Sequence, residues 1–375
     1  MKKTLSIVLA LLLVMMLVVA CGGGGDKEST SPSDDKSVAP TGEQSEKPSG
    51  GGSSGGPYNM AGLYSEITGD FWGIVYNGGT KALEELKAEG HDGYIIAPAT
   101  TGDPTLQQEQ INQAVIEKVD GIVLSPSNAD AIGTFVTDTF KDDSIPIVVI
   151  DRSLNTTSPA YKARVMADTV AMGTECGKMG VEAMDGKGFY VPLGIDISNE
   201  NWANRSLYAI EYITENAPEM ENLVTDNEHG VWWSAQNPDG AIIQYVQDIA
   251  TANSDKDILF LTTTEAGTNN TVAALSEIMS QLKGKIRIVG FDFSATGYGL
   301  FNSTDFFYGS CGQNPFAMGY QGFFTLIEVI EGEVGPGADG EVAFVPVEYQ
   351  NVTRDNLTSD EVKAYLDSMG IEYKG

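Results

Sequence analysis

The stretch from Ile145 to Arg152 constrains the fold of this chain more than any other. It reads Ile-Pro-Ile-Val-Val-Ile-Asp-Arg, an apolar, β-branched run that stops at an acid beside a base. An unbroken run of this kind favours a strand covered on both faces, as in a parallel sheet packed between helices. Ligands of such sheets collect beyond the carboxyl ends of the strands. Asp151 offers acceptors there and Arg152 a rigid fork of donors, so the pair could hold a hydroxyl-rich molecule; taken alone, a surface ion pair is the simpler interpretation.

Length and charge narrow the class of protein. The chain has 375 residues, which suggests two domains of ordinary size or one large one. Its 22 Lys and Arg against 52 Asp and Glu give a net charge of −30. Binding to a nucleic acid backbone calls for a basic surface, so this balance argues against a nucleic acid partner. It fits a soluble protein that works outside the cell.

The N-terminus carries the pattern of a secreted lipoprotein. Lys2 and Lys3 precede an apolar run over 5–20, and Cys21 follows it. The segment 18–21, Val-Val-Ala-Cys, resembles a bacterial lipobox, where the chain is cleaved before a diacylated cysteine. Residues 1–20 are therefore predicted to be a signal peptide and Cys21 the lipidation site, since two acyl chains give stable anchoring. A plain signal peptide or a transmembrane anchor is the alternative, although the run is short for a membrane span.

The segment that follows predicts a tether. Residues 22 to about 57 consist of Gly, Ser, Asp, Lys, Glu and Pro with almost nothing apolar, so they cannot bury a core. A flexible coil of this length has an end-to-end distance of roughly 30 Å. The predicted lipidated cysteine and linker thus cover 21–57, and the folded part begins near Tyr58.

From Tyr58 onwards, strand patterns alternate with helix patterns. In the first half the predicted strands are 58–64, 93–96, 121–124 and 147–150, and the predicted helices are 71–89, 106–119 and 130–140. In the second half the strands are 163–167, 188–193, 223–224, 258–261 and 287–291, and the helices are 170–184, 204–216, 238–252 and 268–282. This alternation predicts doubly wound parallel sheets. Two such blocks in tandem predict two lobes, and a cleft between lobes is a favoured ligand site.

Five motifs in order carry a resemblance to a known family. They are Gly-Asp-Phe-Trp at 69–72, Gly-Ile-Val-Leu-Ser-Pro at 121–126, the run 145–152, Val-Gly-Phe-Asp at 289–292, and Gln-Asn-Pro-Phe-Ala-Met-Gly-Tyr at 313–320. In this arrangement the chain resembles the substrate-binding lipoproteins of bacterial sugar ABC transporters, in the ribose-binding-like group of type I periplasmic binding proteins. The resemblance covers nearly all of the chain after Tyr58.

The resemblance implies an α/β fold of two Rossmann-like, doubly wound parallel-sheet lobes joined by a three-segment hinge. The crossings would lie near 162–166, 311–315 and 335–341. The N-terminal lobe would comprise 58–163 and 314–337, and the C-terminal lobe 164–313 and 338–375. A protein of this kind is a monomer, anchored on the outer face of the cell membrane, that captures a small sugar or polyol and delivers it to an ABC permease and its ATPase subunit.

The resemblance also implies a set of ligand-binding residues. Aromatic rings can cover the C–H faces of a sugar, while charged and amide groups bind its hydroxyls. The predicted ligand-binding residues are Phe71, Trp72, Ser125, Asp151, Arg152, Trp202, Arg205, Trp233, Glu265, Asp292 and Gln313. For some of these the sequence leaves another role open. The rings at 71–72 could staple a helix, Arg205 could be a solvated helix charge, and the two tryptophans at 232–233 could lie in the core.

Departures from the family pattern put ribose itself in doubt. Ser125 stands where an asparagine often contributes, and Gly-Asp at 69–70 replaces Asn-Pro. The segment 264–268 replaces an Asn-Asp pair and brings Glu265, which could accept hydroxyls or meet a basic ligand group.

Other chemistry is scarce in the sequence. His91 and His229 are the only histidines and lie far apart, so no metal site is predicted. No nucleotide-binding glycine motif or nucleophile elbow occurs, and no cofactor is expected. Lipidation of Cys21 would leave Cys176 and Cys311, whose pairing the sequence leaves open.

Two other functions compete with solute transport. Asp151 and Asp292 could form the carboxylate pair of a glycoside hydrolase. However, Arg152 beside Asp151 is expected to keep that acid ionised, whereas a general acid needs a raised pKa, so the chain is predicted not to be an enzyme. A ligand sensor for chemotaxis or two-component signalling is the milder alternative.

Overall fold

The computed structural model describes residues 55–99, 102–225, 227–234 and 238–373. The predicted signal peptide, the lipidation site Cys21 and nearly all of the predicted linker lie outside these residues. Within the described ranges, no helix is long and apolar enough to span a bilayer.

The described residues form thirteen strands and ten α-helices. The strands are β1 (Asn59–Leu63), β2 (Asp92–Ile96), β3 (Gly121–Leu124), β4 (Ile147–Ile150), β5 (Tyr161–Ala167), β6 (Lys187–Gly194), β7 (Glu219–Asn222), β8 (Trp232–Trp233), β9 (Ile258–Thr262), β10 (Ile286–Phe291), β11 (Phe307–Gln313), β12 (Ala343–Val347) and β13 (Tyr349–Thr353). The helices are α1 (Gly69–Ala88), α2 (Pro104–Glu117), α3 (Ala129–Thr139), α4 (Thr169–Met184), α5 (Glu200–Asn216), α6 (Pro238–Ala252), α7 (Glu265–Ile278), α8 (Ala295–Ser303), α9 (Pro315–Ile330) and α10 (Asp360–Ser368).

The first lobe is built on a parallel sheet with the strand order β12-β5-β4-β3-β1-β2. Strand β4 lies inside it and is buried along its whole length. Val148 and Ile150 pack in the cluster that includes α1 and α9, whereas Ile147 and Val149 pack in the cluster that includes α2 and α3. The unbroken apolar run therefore serves both faces of one sheet, as the sequence predicts.

The second lobe repeats this architecture. Its sheet has the order β13-β11-β10-β9-β6-β7, with the short β8 beside β6. Every neighbouring pair is parallel except β11 and β13, which are antiparallel. Helices α4 and α5 pack together against this sheet, and α6 and α7 pack together on it. The predicted fold class, two α/β lobes with doubly wound parallel sheets, is confirmed.

The chain crosses between the sheets three times, later than the sequence predicts at two of the crossings. The first crossing follows β5, the second lies between β11 and α9, and the third lies between β12 and β13. The predicted boundaries at residues 163 and 337 need correction, because β5 runs to Ala167 and β12 pairs with it in the first sheet. Strand β12 alternates between half-buried and exposed positions at an edge, so its own residues do not reveal which sheet it joins.

Two elements of the second lobe also differ from the sequence prediction. Helix α5 begins at Glu200, four residues before the predicted start, because the Asn199 side chain caps it by accepting from the backbone N–H groups of Asn201 and Trp202. The strand predicted at 223–224 lies instead at Glu219–Asn222, where it pairs with β6.

Helices α1 and α9 cross closely because glycines line the contact. A Cβ on Gly319 would overlap the carbonyl oxygen of Val75 and lie 2.8 Å from the backbone nitrogen of Gly79. Backbone, unlike a flexible side chain, cannot move aside cheaply, so this position accepts no side chain without separating the helices.

Replacing Gly319 by Ala should therefore destabilise the protein by about 1–3 kcal/mol, the usual cost of overpacking a core. Gly299→Ala in α8 is the matched control, because a Cβ there meets nothing within 4 Å. The control should be neutral or slightly stabilising, since alanine is the better helix former. Urea denaturation of both variants checks this, and equal stability of the two would contradict the described crossing.

Candidate ligand-binding cleft

An aspartate ends the equivalent strand of each lobe. Asp151 follows β4 and Asp292 follows β10, and both take the left-handed conformation, with φ of 65° and 64°. Aspartate tolerates this conformation better than most residues because its short polar side chain can hydrogen-bond locally. The two lobes thus place one carboxylate each at the carboxyl end of a central strand, where a ligand is expected.

The Asp292 carboxylate is the centre of a network in the second lobe. Its Oδ1 accepts from Nε2 of Gln313 at 2.6 Å, and its Oδ2 lies 3.5 Å from Nη1 of Arg205. Arg205 also donates to the carbonyl oxygen of Thr263 at 2.8 Å, and its guanidinium lies 5.0 Å from the centre of the Phe291 ring. The arginine side chain is only 4% exposed, so removing its carboxylate partner would leave a buried charge unpaired.

The backbone around Asp292 is held by a second set of bonds. The Ser310 hydroxyl donates to the carbonyl oxygen of Asp292 at 2.6 Å, and the Asp292 N–H donates to the carbonyl oxygen of Cys311 at 3.0 Å. The hydroxyl of Tyr365 donates to the carbonyl oxygen of Gln313 at 2.6 Å. Both ends of the acid–amide pair are therefore fixed before any ligand arrives.

In the first lobe, Arg152 links the acid to an aromatic ring. Its Nε lies 3.5 Å from Oδ2 of Asp151, and its Nη1 donates to the carbonyl oxygen of Pro126 at 3.2 Å. The guanidinium lies 5.2 Å from the centre of the Trp72 ring, within range of a cation–π interaction. Arg152 thus positions both the acid and the ring.

Burial raises the pKa of Asp151. Its side chain is about 10% exposed, and loss of hydration outweighs the opposing effects of Arg152 and Arg205, while the charge of Asp292 raises the pKa further. Arg152 therefore lowers the pKa of this acid, as the sequence predicts, but burial outweighs its effect. The desolvation cost of a carboxylate in a closed cleft was not visible in the sequence.

Glu265 combines a structural contact with a position in the cleft. Its Oε1 accepts from the backbone N–H and the hydroxyl of Ser294, at 2.9 and 2.8 Å, and from the N–H of Gly297 at 2.8 Å. It therefore stabilises the start of α8. Burial raises its pKa, these hydrogen bonds oppose that shift, and the nearby Asp292 charge adds to it.

A cavity of about 350 Å³ lies between the lobes and brings five of the predicted residues together. These five are Phe71, Trp72, Glu265, Asp292 and Gln313. The rest of the lining is Thr68, Gly69, Ile74, Thr264, Ala266, Asn269, Phe293, Ser294, Thr296 and Pro315. Rings from the first lobe thus share one space with acids and amides from the second.

The other predicted residues lie outside this lining. Arg205 contacts the lining residue Asp292, and Arg152 contacts both Asp151 and the ring of the lining residue Trp72. Ser125 is fully buried, and its hydroxyl lies 3.2 Å from that of Ser65. Their direct contact with a ligand stays a prediction.

The two remaining tryptophans also lie outside the lining of the cavity. Trp202 is half-buried in the first turn of α5, and the ring of Trp233, in β8, packs over Gly194 of β6. Their direct contact with a ligand likewise stays a prediction.

Phe293 and Asn269 are two of the lining residues that the sequence did not identify as ligand-binding. Phe293 directly follows the strand-end acid, and Asn269 lies four residues after Glu265, one helical turn along α7. The Oδ1 atom of Asn269 is buried and has no hydrogen-bond partner among the described residues. The one-turn spacing from Glu265 was the signal that could have identified it.

In the described ranges, no cluster of three or more His, Cys, Asp or Glu side chains is arranged to hold a metal ion. Cys176 and Cys311 are both buried and unpaired with each other, and the Cys176 thiol donates to the carbonyl oxygen of Gly290 at 3.2 Å.

Comparison with known proteins decides the family. The family model described as "Periplasmic binding protein domain" matches residues 63–334. The chain belongs to this family. The match runs from the end of β1 to just beyond α9, so it covers most of both lobes and the first two crossings.

Solved structures of this family share the fold. A carbohydrate transporter solute-binding protein from Agrobacterium radiobacter, in complex with D-arabinose, superposes with a TM-score of 0.66 at 22% identity, covering 82% of this chain and 98% of its own. An ABC transporter solute-binding protein from Agrobacterium vitis with bound D-fucose gives 0.62 at 21% identity, with 81% and 98% covered. An arabinose-binding protein from Geobacillus stearothermophilus gives 0.64 at 18% identity, with 80% and 98% covered.

A curated relative matches a shorter stretch. The xylitol-binding protein of Mycolicibacterium smegmatis is 26% identical over 175 residues, which is 42% of this chain and 49% of that protein. The chain therefore spans about half the length of the curated relative it matches. These relatives are binding proteins, which agrees with the expectation that the chain is not an enzyme.

The raised pKa of Asp151 predicts that Asp151→Asn stabilises the protein by an amount that depends on pH. Since the folded protein binds the Asp151 proton more tightly than the unfolded chain, whose pKa is about 3.9, this group stabilises the fold fully at low pH. That contribution is lost as the pH rises through the raised value. Asp151→Asn should thus leave the free energy of unfolding unchanged near about pH 3 and raise it near about pH 7.

Denaturant titrations at both pH values check this. Asp142→Asn is the control, because Asp142 is exposed and a hydrogen bond from Ser144 lowers its pKa. The control variant should show no increase in the free energy of unfolding at neutral pH. A loss of stability in Asp151→Asn at neutral pH would show that the ion pair with Arg152 outweighs burial.

Proposed function

We propose that this protein is an extracytoplasmic solute-binding lipoprotein that captures a small sugar or related polyol between its lobes and delivers it to an ABC importer. The observation that carries the proposal is the shared cavity, in which Phe71 and Trp72 of one lobe face Asp292 and Gln313 of the other. Rings suit the C–H faces of a sugar, and the acid–amide pair suits its hydroxyls.

The size of the cavity favours a small ligand. Ligand pockets span about 300–1,000 Å³, and the volume here of about 350 Å³ lies at the lower end of that range. The named relatives bind solutes of matching size: D-arabinose, D-fucose and, by its name, xylitol. A monosaccharide or an acyclic polyol is therefore the ligand class proposed.

The charges around the cavity favour a neutral ligand. Asp151, Glu265 and Asp292 outnumber Arg152 and Arg205, and each arginine already contacts an aspartate and a backbone carbonyl. The site therefore offers a surplus of hydrogen-bond acceptors, which a hydroxyl-rich molecule satisfies with its O–H donors. An anionic ligand would instead add a charge to a site that is already acidic.

Delivery would depend on closure and anchoring. A ligand that contacts both lobes stabilises the closed form, which then docks on a membrane permease driven by its ATPase partner. Diacylated Cys21 and the linker after it would keep the protein at the outer face of the membrane, within reach of the permease.

Loss of the first-lobe acid should weaken ligand binding strongly. Asp151→Ala removes hydroxyl acceptors and leaves Arg152 without its carboxylate, so we expect a loss of about 2–5 kcal/mol in binding free energy. Trp72→Ala should cost less, because one ring face is lost and no charge is stranded.

Isothermal titration with the sugar or polyol that most raises the melting temperature measures both effects. Asp143→Ala is the matched control, because Asp143 is exposed and pairs with Lys162 away from the cavity. Unchanged affinity in Asp151→Ala would remove this residue from the site.

Turnover of an oligosaccharide by the wild-type protein would replace the transport proposal with that of a glycoside hydrolase, which the raised pKa of Asp151 alone would suit.

The acidic character of the cleft should also exclude acidic sugars. A uronic acid should bind at least about tenfold more weakly than its parent aldose, which corresponds to about 1.4 kcal/mol. Glu265→Gln should narrow that gap, because the amide oxygen still accepts from Ser294 while one negative charge is removed. Competitive titration with such a pair of sugars checks this, and tighter binding of the uronic acid would contradict a neutral-ligand site.

A further inference from the structure

The two lobes contact each other directly at a place outside the ligand cavity. The first turn of α5, in the second lobe, meets the loop after β4 and strand β5, in the first lobe. Glu200 and Asn201 of α5 reach Asp151, Ser153 and Arg164 across this gap. Neither α5 residue lines the cavity, so these contacts need no ligand.

Asn201 makes the buried contact of this set. Its Nδ2 donates to the carbonyl oxygen of Asp151 at 2.8 Å, and both residues are less than a tenth exposed. The backbone of Asn201 is fixed in turn by the Asn199 cap, at 3.1 Å. The bond therefore joins the second lobe to the left-handed residue Asp151 at the end of β4.

Glu200 makes the outer contact. Its Oε2 accepts from the hydroxyl of Ser153 at 3.0 Å and lies 4.0 Å from Nη1 of Arg164. Arg164 also donates to the Ser153 hydroxyl at 3.2 Å, and its guanidinium lies 5.2 Å from the centre of the Phe344 ring. These groups are partly exposed, so water screens them and the outer contact contributes less than the buried one.

We propose that Glu200 and Asn201 form a clasp, which holds the lobes together without help from the ligand and positions Asp151 for binding. This inference rests on the proposed function, in which the closed form is the one that binds. Because the clasp bonds form only on closure, they raise the fraction of closed protein before a ligand arrives. The apparent dissociation constant equals the intrinsic constant divided by the fraction of closed protein. A clasp that raises this fraction therefore tightens binding without contacting the ligand.

The test measures the distance between the lobes in the ligand-free protein. Spin labels on Thr134→Cys in α3 and Glu211→Cys in α5 report it, since both positions are exposed on different lobes. Cys21→Ser removes the predicted lipidation site from every sample, and the buried Cys176 and Cys311 stay unlabelled.

Two substitutions of Asn201 separate the hydrogen bond from helix stability. Asn201→Ala removes the donor, whereas Asn201→Asp keeps the shape but turns a negatively charged acceptor towards the Asp151 carbonyl. An acid in the first turn interacts favourably with the helix dipole, so Asn201→Asp should not lower the melting temperature of the labelled protein. Asn216→Ala is the matched control, because Asn216 bonds only Tyr212 of its own helix among the described residues.

The proposal expects longer distances in Asn201→Ala than in wild type and the longest in Asn201→Asp, with the control unchanged. For any ligand found, Asn201→Ala should weaken affinity about fivefold, the effect of one hydrogen bond, and leave the ranking of ligands unchanged. Wild-type distances in both Asn201 variants, or opening in Asn201→Asp alone, would overturn the clasp. Failure to find any ligand would contradict the proposed function. The distances in the ligand-free protein would still show whether Asn201 holds the lobes together.

Discussion

The Asp292 carboxylate is the interaction on which the cleft depends. It joins the end of β10 to Gln313 at the second crossing and to Arg205 of α5, so three separate segments converge on one half-buried acid. A buried ion pair adds little net stability, but loss of one partner is costly because the other is left unpaired. The network therefore acts mainly by fixing where the acid, the amide and the arginine stand. A site assembled in this way is ready to bind hydroxyl groups with little further ordering.

Besides this fixed network, the cleft region contains two carboxylates that are poorly hydrated. Burial raises the pKa of both Asp151 and Glu265, which means that their charged forms are poorly solvated in the ligand-free protein. Hydroxyl donors of a ligand would replace the missing water and strengthen in the low-dielectric cleft.

Much of this architecture could be predicted from sequence, for physical reasons. Strand β4 is buried on both faces, so its unbroken apolar run specifies a central parallel strand, and the polar residues after it mark the ligand edge. The end of the first lobe could not be predicted in the same way. Membership of β12 in the first sheet is set by pairing with β5 across 176 residues of chain, counted from Ala167 to Ala343, and its alternating edge pattern fits either sheet.

The site shows the same division. Asp292, Gln313 and the ring pair at 71–72 follow recognisable motifs and meet in one cavity, whereas the direction of the Asp151 pKa shift depends on burial that no local pattern encodes. Asn269 and Phe293 became visible only once α7 and the loop after β10 were packed against the first lobe. Sequence motifs therefore identify the strand ends that carry the site. The burial of each side chain in the cleft depends on how the two lobes pack, which a motif does not show.

The most direct test of this account is a crystal structure of the protein with the sugar or polyol that it binds most tightly. We expect electron density for the ligand between the lobes, with its hydroxyls on Asp292 and Gln313 and a C–H face against Phe71 or Trp72. A ligand bound outside the cavity, or held by one lobe while Asp292 and Gln313 contact only each other, would contradict it.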